Sequence, residues 1–123
     1  MKRFLAVITL VFMLAVPSFA LSNKEYGQLM SNEAFARADR RLNRVYTDLR
    51  RSVSRAVWRV LSDEQKDWID WGRDKDAESY MDEGYSRTRA YIQATNDRAE
   101  YLPRRAKEIS REIARRSRSS RRR

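Results

Sequence analysis

Four aspartates, Asp63, Asp67, Asp70 and Asp74, recur at steps of three and four residues, with Glu78 continuing the series. On a helix that spacing sets carboxylates along one face. Such a stripe could serve acid–base catalysis, which needs a pair of carboxylates poised in a cleft, or it could attract a cationic partner. Catalysis is poorly supported. The chain has no His and no Cys, which removes the commonest general base near neutral pH and the commonest transition-metal ligand. It also carries no recognisable nucleophile motif and no glycine-rich phosphate loop. Asp63-Glu64 and Asp82-Glu83 are explained by helix-start and loop preferences. The sequence therefore reads as a non-enzyme with no catalytic residue, metal site, cofactor or small-molecule substrate. What is left for the aspartates is either an ordinary solvated face or an acidic ridge that meets a basic protein.

The elements that would carry the ridge are helical. Phe35, Ala38, Leu42, Tyr46, Leu49, Val53, Val57 and Leu61 step by three and four, which predicts one long helix with a single apolar stripe. Tyr26 and Met30 extend the stripe backward, with a break near Ser31 as the alternative to one helix from about residue 23 to 60. Ser22 with Glu25 has the form of a capping box, and so does Ser62 with Gln65. The second of these predicts a tight turn near Leu61 and Ser62 and a new helix carrying Trp68 and Trp71. Gly72 inside that helix implies close approach of another helix, because glycine there costs about 1 kcal/mol relative to alanine. Gly84 and Ser86 suit a left-handed C-cap and the next N-cap. A third helix follows, with Tyr85, Thr88, Ile92, Thr95, Ala99 and Leu102 inward, ended or kinked by Pro103. The fold class is all-α: a small antiparallel three-helix bundle with a disordered basic C-terminal tail.

Residues 1–20 have the form of a signal peptide, with Lys2 and Arg3 ahead of the apolar run Phe4 to Val16 and small residues ending at Ala20. The apolar run is shorter than the roughly 20 residues a membrane-spanning helix needs. The product is expected to be periplasmic or secreted after cleavage near Ala20, with no disulfide available to it.

Charge is laid out in blocks. Residues 104–123 hold ten basic and two acidic side chains, whereas residues 21–103 balance at fifteen of each. Residues 37–59 carry eight arginines against Asp39 and Asp48, and residues 63–83 carry nine acids against Lys66, Arg73 and Lys75. One reading is mutual complementarity of two neighbouring helices; the other is an acidic ridge kept free for a partner. In the tail, Ile109 and Ile113 allow a short helix. Beyond it the run with Arg115, Arg116, Arg118, Arg121, Arg122 and Arg123 has nothing to bury and reads as disordered. That run supplies the alternative function, an envelope-associated protein binding anionic lipid or lipopolysaccharide. Nucleic acid is an unattractive partner, since the run lacks interleaved aromatics for base stacking.

Asp39, Leu42, Asn43 and Tyr46, then Gln65, Trp68 and Arg73, then Thr95 and Arg98, form an ordered set of spaced residues, with Ala38, Leu49, Leu61, Ser86 and Leu102 between and around them. Over about residues 25–102 this set resembles the LprI-type lysozyme-inhibitor domain family. It departs from the family in having none of the cysteines that many members carry. The resemblance implies a secreted or periplasmic binding protein whose partner is a lysozyme or other basic protein. The residues themselves read first as structural: Asn43 and Gln65 in a polar lock across a helix pair, with the Trp68 indole N–H bonded to one of them. The domain organisation expected is a signal peptide over 1–20, the helical domain over 21–103 and the basic tail over 104–123.

Overall fold

The computed structural model describes residues 21–122; the signal-peptide expectation and Arg123 fall outside them. Helix α1 (Asn23–Met30) is short and is followed by α2 (Glu33–Ser52), α3 (Arg55–Asp67), a π-helical turn (Trp68–Gly72), α4 (Arg73–Asp82) and the long α5 (Arg87–Arg122). Because α3, the π-turn and α4 run on without a break, the described residues make four helical rods.

The first start signal holds. Ser22 Oγ accepts from the Glu25 N–H and the Glu25 carboxylate accepts from the Ser22 N–H, both near 3 Å. Of the two alternatives at Ser31, the break is what forms, and Asn32 caps α2 by accepting from the Phe35 N–H. Gly84 takes φ +101°, the left-handed conformation that ends α4, and Ser86 Oγ accepts from the Arg89 N–H to open α5.

The predicted turn at Leu61 and Ser62 does not exist. The chain breaks eight residues earlier, where Val53 turns extended and Ser54 Oγ accepts from the Val57 N–H at 3.2 Å. Ser62 lies mid-helix, its hydroxyl donating back to the Arg59 carbonyl, and Gln65 is used elsewhere.

The α2 rod and the α3–α4 rod both pack on α5, while the short α1 packs on α2, so α5 and not the centre of the sequence is the hub. One core joins Leu42, Val57, Leu61 and Trp68 to Ala99, Leu102, Ala106 and Ile109; the other joins Leu29, Phe35 and Ala77 to Ala90 and Tyr91. The small side chains Ala90, Ala94, Ala99 and Ala106 on α5 are all buried, which lets its neighbours approach closely. Pro103 neither ends α5 nor opens a disordered tail: the helix runs through it to Arg122. An interior proline costs about 3 kcal/mol, and the burial of Leu102, Ala106 and Ile109 on either side holds the helix together past it.

The complementary-helix reading of the charge blocks also fails. Among the described residues no ion pair joins 37–59 to 63–83; Arg41 reaches Glu100, and Glu64 reaches Arg105. Both blocks pack against α5 with most of their charges outward; Asp39 and Arg73 are buried.

Candidate partner-binding surface

The π-turn is the local irregularity that shapes this surface. The Arg73 N–H bonds the Trp68 carbonyl five residues back, inserting one extra residue into an otherwise α-helical rod. Trp68 turns into the core, leaving Ile69 and Trp71 outside at 49% and 47% exposure. Gly72 is required here for a different reason from the one expected. The nearest neighbour is not another helix but the Trp68 indole, whose Cδ1 would lie 2.9 Å from a Cβ here. The Trp68 Nε1–H donates to Asp76 Oδ2 at 2.9 Å, not to Asn43 or Gln65.

Behind the turn runs a column in which rings and guanidinium groups alternate. Arg73 lies 5.6 Å from the Tyr26 ring and 5.5 Å from the Trp68 ring. Arg98 lies 5.3 Å from Trp68 and 4.8 Å from Tyr101, which Arg104 approaches on its own side at 6.0 Å. Each partly desolvated cation over a ring is worth about 0.5–2 kcal/mol, and the column ties α1, the π-turn, α4 and α5 together.

Hydrogen bonds fix its members. Arg98 Nε donates to Gln65 Oε1 at 2.8 Å, and burial lowers the Arg98 pKa. Tyr26 OH donates to Asp39 Oδ2 at 2.7 Å; burial, then that bond, pushes the phenol up to about 12. Arg105 grips Glu64 with two N–H donors at 2.9 and 2.6 Å, holding the Glu64 carboxyl below its ordinary range.

The residues singled out from the sequence divide between this column and the surface. Asp39, Gln65, Arg73 and Thr95 are the buried polar side chains among the described residues; with Trp68 and Arg98 they stand in or against the packed interior. Leu42 is in the core beside them. The polar lock does not form as expected, because Asn43 is exposed and makes only a 3.4 Å contact to Asp39 in its own helix, while Tyr46 stacks on Trp58. Tyr26 instead links Asp39 to Arg73, and Arg98 ties Gln65 and Trp68 to α5.

Of the ridge, Asp63, Asp67 and Asp70 are exposed as a solvent-facing acidic set. Asp74, beyond the extra residue of the π-turn, is turned inward and accepts from Tyr91 OH at 2.6 Å; burial raises its carboxyl pKa. Arg115, Arg116, Arg118, Arg121 and Arg122 are exposed on the last turns of α5. Beside the turn, Glu64, Asp67, Trp71, Asp76, Tyr101 and Arg105 help line an open groove of about 410 Å³. Ile69, Trp71 and Tyr26 were not picked out as site residues from sequence. The signal that could have found the first two is W-I-D-W-G, since a helix that buries Trp68 and closes over Gly72 has no second buried place for Trp71.

The model of the lysozyme inhibitor LprI family matches residues 22–108. The chain belongs to that family. No curated protein and no solved structure matches it. The LprI match extends past Pro103 to include Arg105 and Ala106, the residues that pair with Glu64 and fill the core. It covers the whole cation–π column, and this LprI member builds its fold without a cysteine.

Proposed function

We propose that this chain is an exported, non-enzymatic inhibitor that docks on a lysozyme through the π-turn. The observation that carries the reading is the exposure of two large apolar side chains, Ile69 and Trp71, on a bulge rimmed by Asp63, Asp67 and Asp70. A half-exposed Trp is the kind of anchor that dominates protein interfaces, where truncation of a hot spot costs about 2 kcal/mol or more. The aspartates around it supply attraction for a basic enzyme and speed encounter rather than adding much affinity. Seated on the rim of the lysozyme cleft, the bulge obstructs the approach of cell-wall substrate. The rigid column beneath it keeps the anchor in place, which lowers the ordering cost of binding. Export through residues 1–20 puts the protein in the periplasm or outside the cell, where lysozyme acts.

The test is lysozyme activity on cell walls with the wild-type chain, Trp71→Ala and the triple variant Asp63→Asn, Asp67→Asn, Asp70→Asn. Trp71→Ala is expected to weaken inhibition by about 30-fold, as a 2 kcal/mol anchor requires. The triple variant should mainly slow association and flatten its dependence on salt. A lysozyme left fully active by excess wild-type chain overturns the reading, and Trp71→Ala inhibiting as well as wild type moves the docking surface elsewhere.

A further inference from the structure

Arg37, Arg40, Arg41 and Arg44 follow one another at steps of three, one and three along α2, so they share one helix face. All four are exposed, and with Ala34, Ala38, Ile92 and Asn96 they line an open groove of about 500 Å³ between α2 and α5. Like charges at this spacing destabilise a helix, yet little in the fold relieves them. Arg37 pairs with Glu33 at the exposed start of α2, and Arg41 is held at the α5 edge by Asn96 Oδ1 at 3.2 Å and Glu100 at 3.6 Å. Among the described residues Arg40 and Arg44 have neither an ion pair nor a hydrogen bond. The floor between them is small and partly apolar: Ala38 is buried, while Ala34 and Ile92 are half-buried.

A guanidinium presents a planar fork that matches the oxygens of a phosphate. The four forks are spread over roughly 10 Å of helix, at 1.5 Å per residue, and do not converge on one point. A single free phosphate would engage one or two of them; an array of phosphates in a surface would engage them all. We propose that this groove is a docking site for the phosphate headgroups of anionic lipids, holding the protein against a membrane surface. The site uses α2 and α5 and none of the residues of the Trp71 bulge, so it stands whether or not lysozyme is the partner.

The test is binding of the chain from Leu21 to Arg123 to phosphatidylglycerol-containing vesicles and to phosphatidylcholine vesicles, at low and moderate salt, with inorganic phosphate as a separate arm. Arg40→Gln/Arg44→Gln is compared with Arg50→Gln/Arg51→Gln, which removes the same charge from exposed positions of α2 outside the groove. At about a fivefold loss per basic residue near an anionic surface, the groove variant should bind phosphatidylglycerol vesicles about 30-fold less well, and the charge-matched variant less than about threefold. Circular dichroism on both variants separates loss of binding from loss of fold; if the groove variant unfolds, Arg40→Lys/Arg44→Lys replaces it and should keep part of the binding. Equal losses in the two double variants would overturn the proposal. So would binding that disappears on removal of residues 115–123 while surviving the groove substitution, or tight binding of inorganic phosphate without vesicle binding.

Discussion

Glu64 and Arg105 meet as two parallel N–H···O bonds, at 2.9 and 2.6 Å, in a half-buried position between α3 and α5. The hydrogen bonds from Arg105 favour the carboxylate and hold its pKa below the ordinary 4.5. A carboxyl depressed in the folded state contributes its full stability above the unfolded value and loses it as pH falls through the folded one. Glu64 therefore stabilises the fold at neutral pH, and that contribution, about 1 kcal/mol for a partly exposed pair, falls away progressively as pH drops below about 4.5 and through the depressed folded value. Thermal unfolding followed from pH 6 to pH 2.5 should show a smaller acid-induced fall in Tm for Glu64→Gln than for wild type. The burial of Asp74 acts in the opposite sense, since its raised pKa makes the charged form the less stable one. Identical pH profiles for Glu64→Gln and wild type would mean that the Arg105 fork contributes nothing to stability.

The helices were legible wherever a local signal agreed with burial. Ser22 with Glu25 and Gly84 with Ser86 each combine a start or stop residue with the limit of an apolar stripe, and each forms as read; at Ser31, where one long helix and a break were both open, the break forms. Ser62 with Gln65 carries the same signal but sits where Leu61 is fully buried and Gln65 receives Arg98. A cap is worth about 1 kcal/mol, less than burying Leu61 and Gln65 in register on α5, so the helix runs through. The chain breaks at Val53 and Ser54, which the unbroken apolar stripe concealed. Ser54→Ala should consequently cost about 1 kcal/mol in urea unfolding, and Ser62→Ala close to nothing. The reverse order would restore the boundary that the capping pattern suggested. W-I-D-W-G carries a signal for an exposed Trp71, but the one-residue insertion of the π-turn was not legible, because it moves Asp74 inward without altering the composition of the segment. For the same reason only three of the four ridge aspartates face solvent.

At the scale of the whole molecule, α5 decides where the chain can be cut. The sequence places a compositional boundary at Pro103, where charge becomes strongly basic, yet the core does not stop there. Ala106 and Ile109 are at most 5% exposed, Ile113 packs beside them, and Arg105 lies between them and Glu64. Burial of an Ile side chain contributes about 1.5–3 kcal/mol, and Ala106 adds a methyl group to it. With the Arg105 pair, a chain ending at Pro103 forfeits about 4 kcal/mol, a large share of the stability of a small domain whose whole margin is about 5–15 kcal/mol. A chain ending at Ala114 retains every one of these contacts and, among the described residues, gives up only exposed ones, five of them arginines between 115 and 122. Urea unfolding should place the chain ending at Ala114 within about 0.5 kcal/mol of the full length, and the chain ending at Pro103 far below both or without a cooperative transition. If the Pro103 chain instead unfolds like the full length, α5 beyond the proline is not part of the hub. Only the Ala114 cut can separate what the arginine-rich end does from what the folded helices do, because it removes the charge and leaves the core.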